Sequence, residues 1–255
     1  LRMVLLAERH GPASKMGLHL TLPGFQEKSR SITHFFGTRR GPHYGEPSDE
    51  FGMIKAVEPD FQKMISVQQV HGTDVLVVDH PVQVGEKFSG GWDAILTNQP
   101  NLLVTVRTAD CVPVLLVDSH KRIVGAVHAG WRGTIHGIIS KTLEQMKKKF
   151  GCAMDSIQMA IGPSAGPCCY EVDGLVIDQL QTNFSDWRSV LILHGEQVGK
   201  INLKELVRRQ AVQIGIPDQQ IHTLNLCTIC RPKQFYSYRR EGQVHGSMVS
   251  GVVLS

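Results

Sequence analysis

The chain of 255 residues has few cysteines, no strong charge of either sign and no long apolar run. Six cysteines in that length are too few for a disulfide scaffold. Cys168 and Cys169 are adjacent, Cys227 and Cys230 form a C-x-x-C, and Cys111 and Cys152 stand alone. They read as reduced thiols in a cytoplasm. The longest apolar runs, such as Val112 to Val117, are strand-length and far short of the roughly 20 residues a helix needs to cross a bilayer. No membrane partner is expected. The leading "LRMVLLAERHGPASK" has neither an extended apolar region nor a cleavage site, which argues against a signal peptide. A formal net charge of +4 is too small for a nucleic-acid footprint and suits a small anionic substrate. No internal repeat, low-complexity segment or composition shift divides the chain, so residues 1–255 read as one domain.

What is present is an alternation of short β-rich runs and amphipathic helices. The runs fall at 64–70, 75–78, 94–97, 102–106, 114–117 and 123–127, with "DSHKR" as a hairpin loop between the last two. Ile135, Ile138, Ile139, Leu143 and Met146 recur at helical spacing, and Gly151 reads as the stop signal. Beyond it come a strand at "SIQMAIG", a helix over about 174–184 and a strand near "VLILH". A further helix is signalled by Asn202 as cap, Glu205 three residues on, and an apolar face from Leu203 to Ile214. "IHTLNL", "FYSYRR" and "SMVSGVVL" read as closing strands, and the Gly-, Pro- and charge-rich residues 37–60 as a long loop. The expected fold is α/β (α+β), a single layered domain of mixed β-sheets flanked by helices.

The chemistry concentrates in "VRTADCVPVLLVDSHKRIVGAVHAGWRGT". Strand alternation puts Ala126, His128 and Gly130 on one face, leaving space around the imidazole. Cys111 falls where one strand ends and the next begins, and the hairpin returns the chain to that end of the sheet. His71, followed by Gly72, is a third candidate. Two imidazoles and one thiolate form the ligand set of an open catalytic zinc site. The same residues also read as a cysteine nucleophile with its base, or as packed strand ends, and the spacing alone does not choose among them.

Around them, Arg107, Arg132 and the Arg39–Arg40 pair are candidates for binding phosphate, against the plainer reading of solvated surface charge. Asp110 can orient a ligand or a ribose hydroxyl, or simply cap the turn before Pro113. Asp93 reads equally as a turn residue. "IGPSAGPCCYEVDG" places Tyr170 on a tight loop entering a helix, where it can stack on a base or be purely structural. Cys227 and Cys230 read as structural thiols, because no second C-x-x-C completes a zinc ribbon.

Taken together, "SVQQVHGTDV", "DAILTNQPNLLVTVRTADCVPVLL", "GAVHAGWRGT", "GPSAGPCCYEV", "NLKELVRRQ" and "CTICRPKQFYSYRREG" closely resemble the laccase-domain family of multicopper polyphenol oxidases, also described as purine nucleoside phosphorylases. The resemblance implies a metal, zinc or copper, held by His71, Cys111 and His128. It implies phosphorolysis of adenosine, inosine, guanosine and methylthioadenosine, and deamination of adenosine. It also implies a fold similar to the catalytic domain of cytotoxic necrotizing factor, a cysteine hydrolase. Two departures bear on substrate preference: residues 40–60 do not show the family's Gly-rich, Asn-containing segment, and His245–Gly246 stand near the terminus where the family has Gly-Arg. The main expectation is a metal-dependent purine nucleoside phosphorylase. Its alternatives are a metal-free hydrolase using Cys111 and His128 with Asp110 as orienter, a copper-binding polyphenol oxidase, and a binding module without turnover. A four-copper oxidase needs paired histidines in H-x-H spacing, and none of the twelve histidines is so paired. The H-x-E…P-C-x-x-C pattern of cytidine-type deaminases is absent as well.

Overall fold

The computed structural model describes residues 18–22, 24–25, 32–44, 50–57, 61–83, 86–243 and 245–255. One six-stranded sheet is ordered β1 (His19–Leu20), β2 (Ile32–Gly37), β15 (Ser247–Leu254), β7 (Leu102–Thr108) and β4 (Lys63–Ser66), with β3 (His43–Tyr44) also paired to β15. The second is ordered β14 (Ile221–Thr223), β10 (Ile157–Ile161), β8 (Val112–Asp118), β9 (Ile123–Ala129), β6 (Ala94–Thr97) and β5 (Val75–Val78). Both are mixed: β4 is parallel to β7, β5 to β6 and β14 to β10, amid antiparallel pairs. A small antiparallel sheet holds β11 (Glu171–Asp173), β13 (Val198–Ile201) and β12 (Leu191–Leu193).

The alternation of side chains along the central strands explains the layering. On one face of β8 and β9, Leu115, Val117, Val124 and Ala126 meet Phe36, Val104, Val106 and Val252 of the first sheet. On the opposite face, Val112, Val114, Leu116 and Val127 pack under α3 (Ile138–Phe150) and α5 (Leu203–Ile214). Strands buried on both faces read as continuous apolar runs, as "VPVLLV" does. The outer face of the first sheet is closed by α1 (Glu50–Val57), whose Ile54 joins Phe35, Leu103 and Val253. Each fully buried side chain of this size contributes about 1.5–3 kcal/mol. The remaining helices, α2 (Trp131–Ile135), α4 (Gly174–Asn183) and α6 (Tyr238–Glu241), border the site described below.

The layered mixed α/β architecture matches the expectation, and several boundaries move. The helix expected around Ile135 is two helices, α2 and α3, with a break at His136–Gly137. The strand expected over 64–70 ends at Ser66, since Gln69 turns its side-chain amide onto the backbone of Arg107, accepting at 2.8 Å and donating at 2.7 Å. Of "IHTLNL" only Ile221–Thr223 is strand. "FYSYRR" is not a strand. Ser237 accepts from the Arg240 amide at 3.2 Å and starts the one-turn α6. Residues 37–60 are not wholly a loop, because β3 and α1 lie within them. Residues 45–49 and 58–60 lie outside the described residues, as does the N-terminal stretch weighed as a signal peptide. Among the described residues no helix is long and apolar enough to cross a membrane.

Candidate metal centre and its cleft

Three strand ends deliver the site. Cys111 precedes β8, His128 lies near the end of the neighbouring β9, and His71 occupies the loop leading to β5. One ligand atom from each lies within 4.8 Å of the other two. The two imidazoles meet edge to face, centroids 4.7 Å apart. Close approach is possible because residue 130 has no side chain. A Cβ on Gly130 would sit 2.9 Å from His71 Cδ2 and 3.2 Å from Cys111 Sγ. Among the described residues, four non-glycines have positive φ, and two of them are His71 (60°) and Asp110 (95°), flanking this point. Such conformations cost of order 1–3 kcal/mol and persist only where surroundings hold them.

Asp93 does much of that holding. Its fully buried carboxylate accepts from the backbone amides of Val70 (3.3 Å), His71 (3.0 Å) and Gly72 (2.6 Å). The same carboxylate meets His128 Nδ1 at 2.8 Å, which leaves Nε2 of that buried ring for a metal. A carboxylate behind a ligating histidine sets its tautomer and raises its basicity. In the sequence, Asp93 reads equally as a turn residue. The only local hint is its place before β6, beside the strand that carries His128.

Electrostatics bind these groups together. Burial alone would raise the Cys111 thiol, yet the neighbouring His128 and His71 bring it down to about 6. Burial likewise works against charge on His128, but the Cys111 sulfur and the Asp93 bond push it up to about 9. Cys152 makes the contrast: buried beside Asp118, it is pushed up to about 12.

A cleft of about 310 Å³ is walled in part by Trp131, Arg132, Tyr170, Glu171, Asp173 and Arg239. Trp131 and Arg132 directly follow Gly130, and Arg132 stacks its guanidinium 4.3 Å from the Trp131 ring centre. Tyr170 lines the cleft and lies near enough to Cys111 for the charge of that sulfur to act on its hydroxyl. Its hydroxyl is pushed up to about 12, first by burial and then by the Cys111 sulfur, with Arg239 acting against both. Arg239 lies 5.4 Å from the Tyr170 ring centre. Arg239 is hidden in the sequence, because "FYSYRR" reads as a strand.

The other expected site residues are placed elsewhere. Asp110 is not the orienter of His128; that position belongs to Asp93. The Asp110 carboxylate accepts from Thr228 Oγ1 (2.5 Å), Ser237 Oγ (2.9 Å) and the Arg239 amide (2.7 Å), so it docks the 228–239 segment onto the site. Arg39 does not line the cleft. It pairs with Glu241 at 3.0 Å, donates to the Pro232 carbonyl at 2.9 Å and stacks on Tyr236. Arg107 also does not line it, since alternation along β7 turns it away from Val106, and its guanidinium stacks 4.1 Å from the Tyr44 ring centre. Cys227 and Cys230 are not an isolated half-motif: their sulfurs gather with those of Cys168 and Cys169, all within 4.8 Å of one another.

Comparison with known proteins identifies the family. A family described as multi-copper polyphenol oxidoreductase laccase matches residues 52–255. The chain is 30% identical over 249 residues to a purine nucleoside phosphorylase of Bacteroides thetaiotaomicron, covering 88% of this chain and 92% of that one. It is 32% identical over 203 residues to adenosine deaminase RL5 from an unknown prokaryotic organism, covering 76% of each. Among solved structures, Bacillus licheniformis protein YfiH superposes with a TM-score of 0.78 at 28% identity, covering 88% of this chain and 93% of that one. The chain belongs to the multi-copper polyphenol oxidoreductase laccase family.

Proposed function

We propose that this chain is a metal-dependent purine nucleoside phosphorylase that acts in a cytoplasm on adenosine, inosine, guanosine and methylthioadenosine, and also deaminates adenosine. The observation that carries the reading is the convergence of His71, Cys111 and His128, with a cleft near by whose walls hold Trp131, Tyr170, two arginines and two carboxylates. The names of two relatives, a purine nucleoside phosphorylase and an adenosine deaminase, point the same way. Two imidazoles and a thiolate suit zinc, with copper as the second choice. Held by His71, Cys111 and His128, the ion would supply Lewis acidity.

The chain's own residues do the rest. Phosphorolysis passes through an oxocarbenium-like state, so a phosphate must be held below the anomeric carbon while the purine departs. Arg132 and Arg239 are the cleft cations available for phosphate. Tyr170, held protonated by burial, offers a ring to the base and a hydroxyl proton for a hydrogen bond. Asp93 keeps the proton on His128 Nδ1, which would leave Nε2 to hold the ion. One three-ligand centre does not supply the trinuclear cluster that four-electron oxygen reduction requires, which sets the polyphenol oxidase reading below this one.

Incubation with inosine and phosphate should yield hypoxanthine and ribose 1-phosphate, lost on chelation and restored by zinc. No free base from any of the four nucleosides would sink the proposal. A second reading has one specific observation in its favour: a Cys111 thiol held down near 6 beside His128, itself oriented by Asp93, is the arrangement of a cysteine hydrolase. It requires the chelated protein to remain active and to be silenced by alkylation of Cys111.

A further inference from the structure

The Cys168, Cys169, Cys227 and Cys230 cluster takes no part in the chemistry above. We propose that these four cysteines form a second metal site, a tetrathiolate that takes zinc and fastens the loop carrying Tyr170 to the loop carrying Thr228.

The geometry comes first. All four sulfurs lie within 4.8 Å of one another, and Cys168 and Cys230 are 4.0 Å apart. Zinc–sulfur bonds of 2.3 Å in a tetrahedron set the sulfurs about 3.8 Å apart. Closing on an ion therefore asks for movements of about 1 Å or less, within the reach of χ1 adjustments. Adjacent cysteines in an extended chain point to opposite sides. Here a tight turn brings them together, with the amides of Cys169 and Tyr170 both donating to the Gly166 carbonyl at 2.9 and 2.8 Å. Close packing at Gly166 opens the room. A Cβ there would lie 3.1 Å from Cys227 Cβ and 3.4 Å from the sulfurs of Cys168 and Cys227. The Gly166 amide donates to Cys227 Sγ at 3.3 Å, a bond that favours thiolate.

Charge is the second observation. Lys204 is only 6% exposed, donates to the Leu226 carbonyl at 3.0 Å, and has no carboxylate partner among the described residues. A buried ammonium beside neutral groups alone is costly. Four thiolates around a divalent cation leave a net negative charge, which is the missing partner. Lys200, donating to the Cys168 carbonyl at 3.2 Å, adds a second cation at the same place. No disulfide links the four thiols, which are all free.

The site joins loops that matter to the cleft. Cys168 and Cys169 immediately precede Tyr170, and Cys227 precedes Thr228, whose hydroxyl reaches Asp110. The Ser164–Cys227 bridge and the Thr228 amide on the Ser164 carbonyl (3.0 Å) already align the two segments. A closed structural centre adds a clasp at their exposed end, where Cys168 and Cys230 face solvent.

The test is metal counting on the full chain, untagged, purified under reducing conditions and loaded with zinc alone, then with cobalt as a spectroscopic probe. The expected result is two zinc ions per chain. Cys111→Ala should keep one, and its cobalt form should show the strong sulfur-to-cobalt charge transfer of a tetrathiolate. Cys168→Ser with Cys230→Ser should keep the other, with the weaker charge transfer of a single thiolate. If Cys111→Ala is folded and binds neither ion, this proposal fails while the three-ligand centre stands. A Cys168–Cys230 disulfide in the reduced preparation, or iron in place of zinc, would also overturn it. Should the double variant not fold, the Cys111→Ala protein decides the matter alone.

Discussion

The two clusters with metal-ligand chemistry differ in what holds them. The His71–Cys111–His128 group is set by strand ends and by one buried carboxylate that grips a loop and a ring together. The four-cysteine group is set by two turns, and two of its sulfurs are exposed. The first has three ligands and a cleft near by; the second has four and no vacancy for a reactant. Rigid second-layer support with an open corner suits chemistry, whereas a saturated set of thiolates on loops suits stapling. Ligand count and what stands behind the ligands therefore separate the roles better than residue type, since both clusters contain cysteine.

The sharpest way to break this contrast is Cys111→Ala. It should empty the three-ligand centre and lower phosphorolysis by about a thousandfold or more, by loss of the Lewis acid. A variant that keeps its metal and its rate would mean that sulfur is not a ligand. Acidity should discriminate next. In the metal-free protein, Cys111 is a thiolate above about 6 and His128 holds a proton up to about 9. Between those values zinc must expel one proton from the pair. Affinity at this centre should thus fall about tenfold for each pH unit lowered from 9 to 6, measured by competition with a chelator in the four-cysteine double variant. A flat profile would show that the pair is not coupled as described.

Asp93→Asn should weaken zinc at the three-ligand centre by about 10–100-fold and leave the four-cysteine centre unchanged. Equal losses at both would mean that Asp93 acts on the whole fold instead. Arg239→Ala should raise the KM for phosphate about tenfold with metal content intact, the effect of one charge-assisted hydrogen bond. An effect on the nucleoside KM alone would assign Arg239 to the base. The smallest effect belongs far from both clusters. Asn202, which accepts from the Glu205 amide at 3.2 Å, caps α5, and Asn202→Ala should cost about 1 kcal/mol of stability in thermal unfolding with both metal sites full.

Much of the site was legible because its ligands sit where strand patterns stop. His128 shares a face with Ala126 and Gly130, and Cys111 stands between two apolar runs; local pattern marks such places. Asp93 was not legible, since nothing near it in sequence announces a bond to a ring thirty-five residues away. Arg239 was hidden by an aromatic-rich "FYSYRR" that scores as strand until Ser237 caps a turn of helix. Of the arginines expected to bind phosphate, Arg132 lines the cleft while Arg39 and Arg107 do not. A guanidinium advertises phosphate binding in any sequence, while Arg39 has a carboxylate and two other partners of its own.

By itself the sequence determined the layered α/β class, the apolar central strands, the capped helix after Asn202 and three ligand candidates. Each of these is written in periods of two or 3.6 residues, or in residue chemistry, and needs no distant partner. Only the tertiary structure decided that Asp93 stands behind His128, that Asp110 docks a loop, and that two cysteine pairs fifty-eight residues apart become one cluster. Those are contacts between segments that meet once the sheets have stacked, and no local period encodes a meeting.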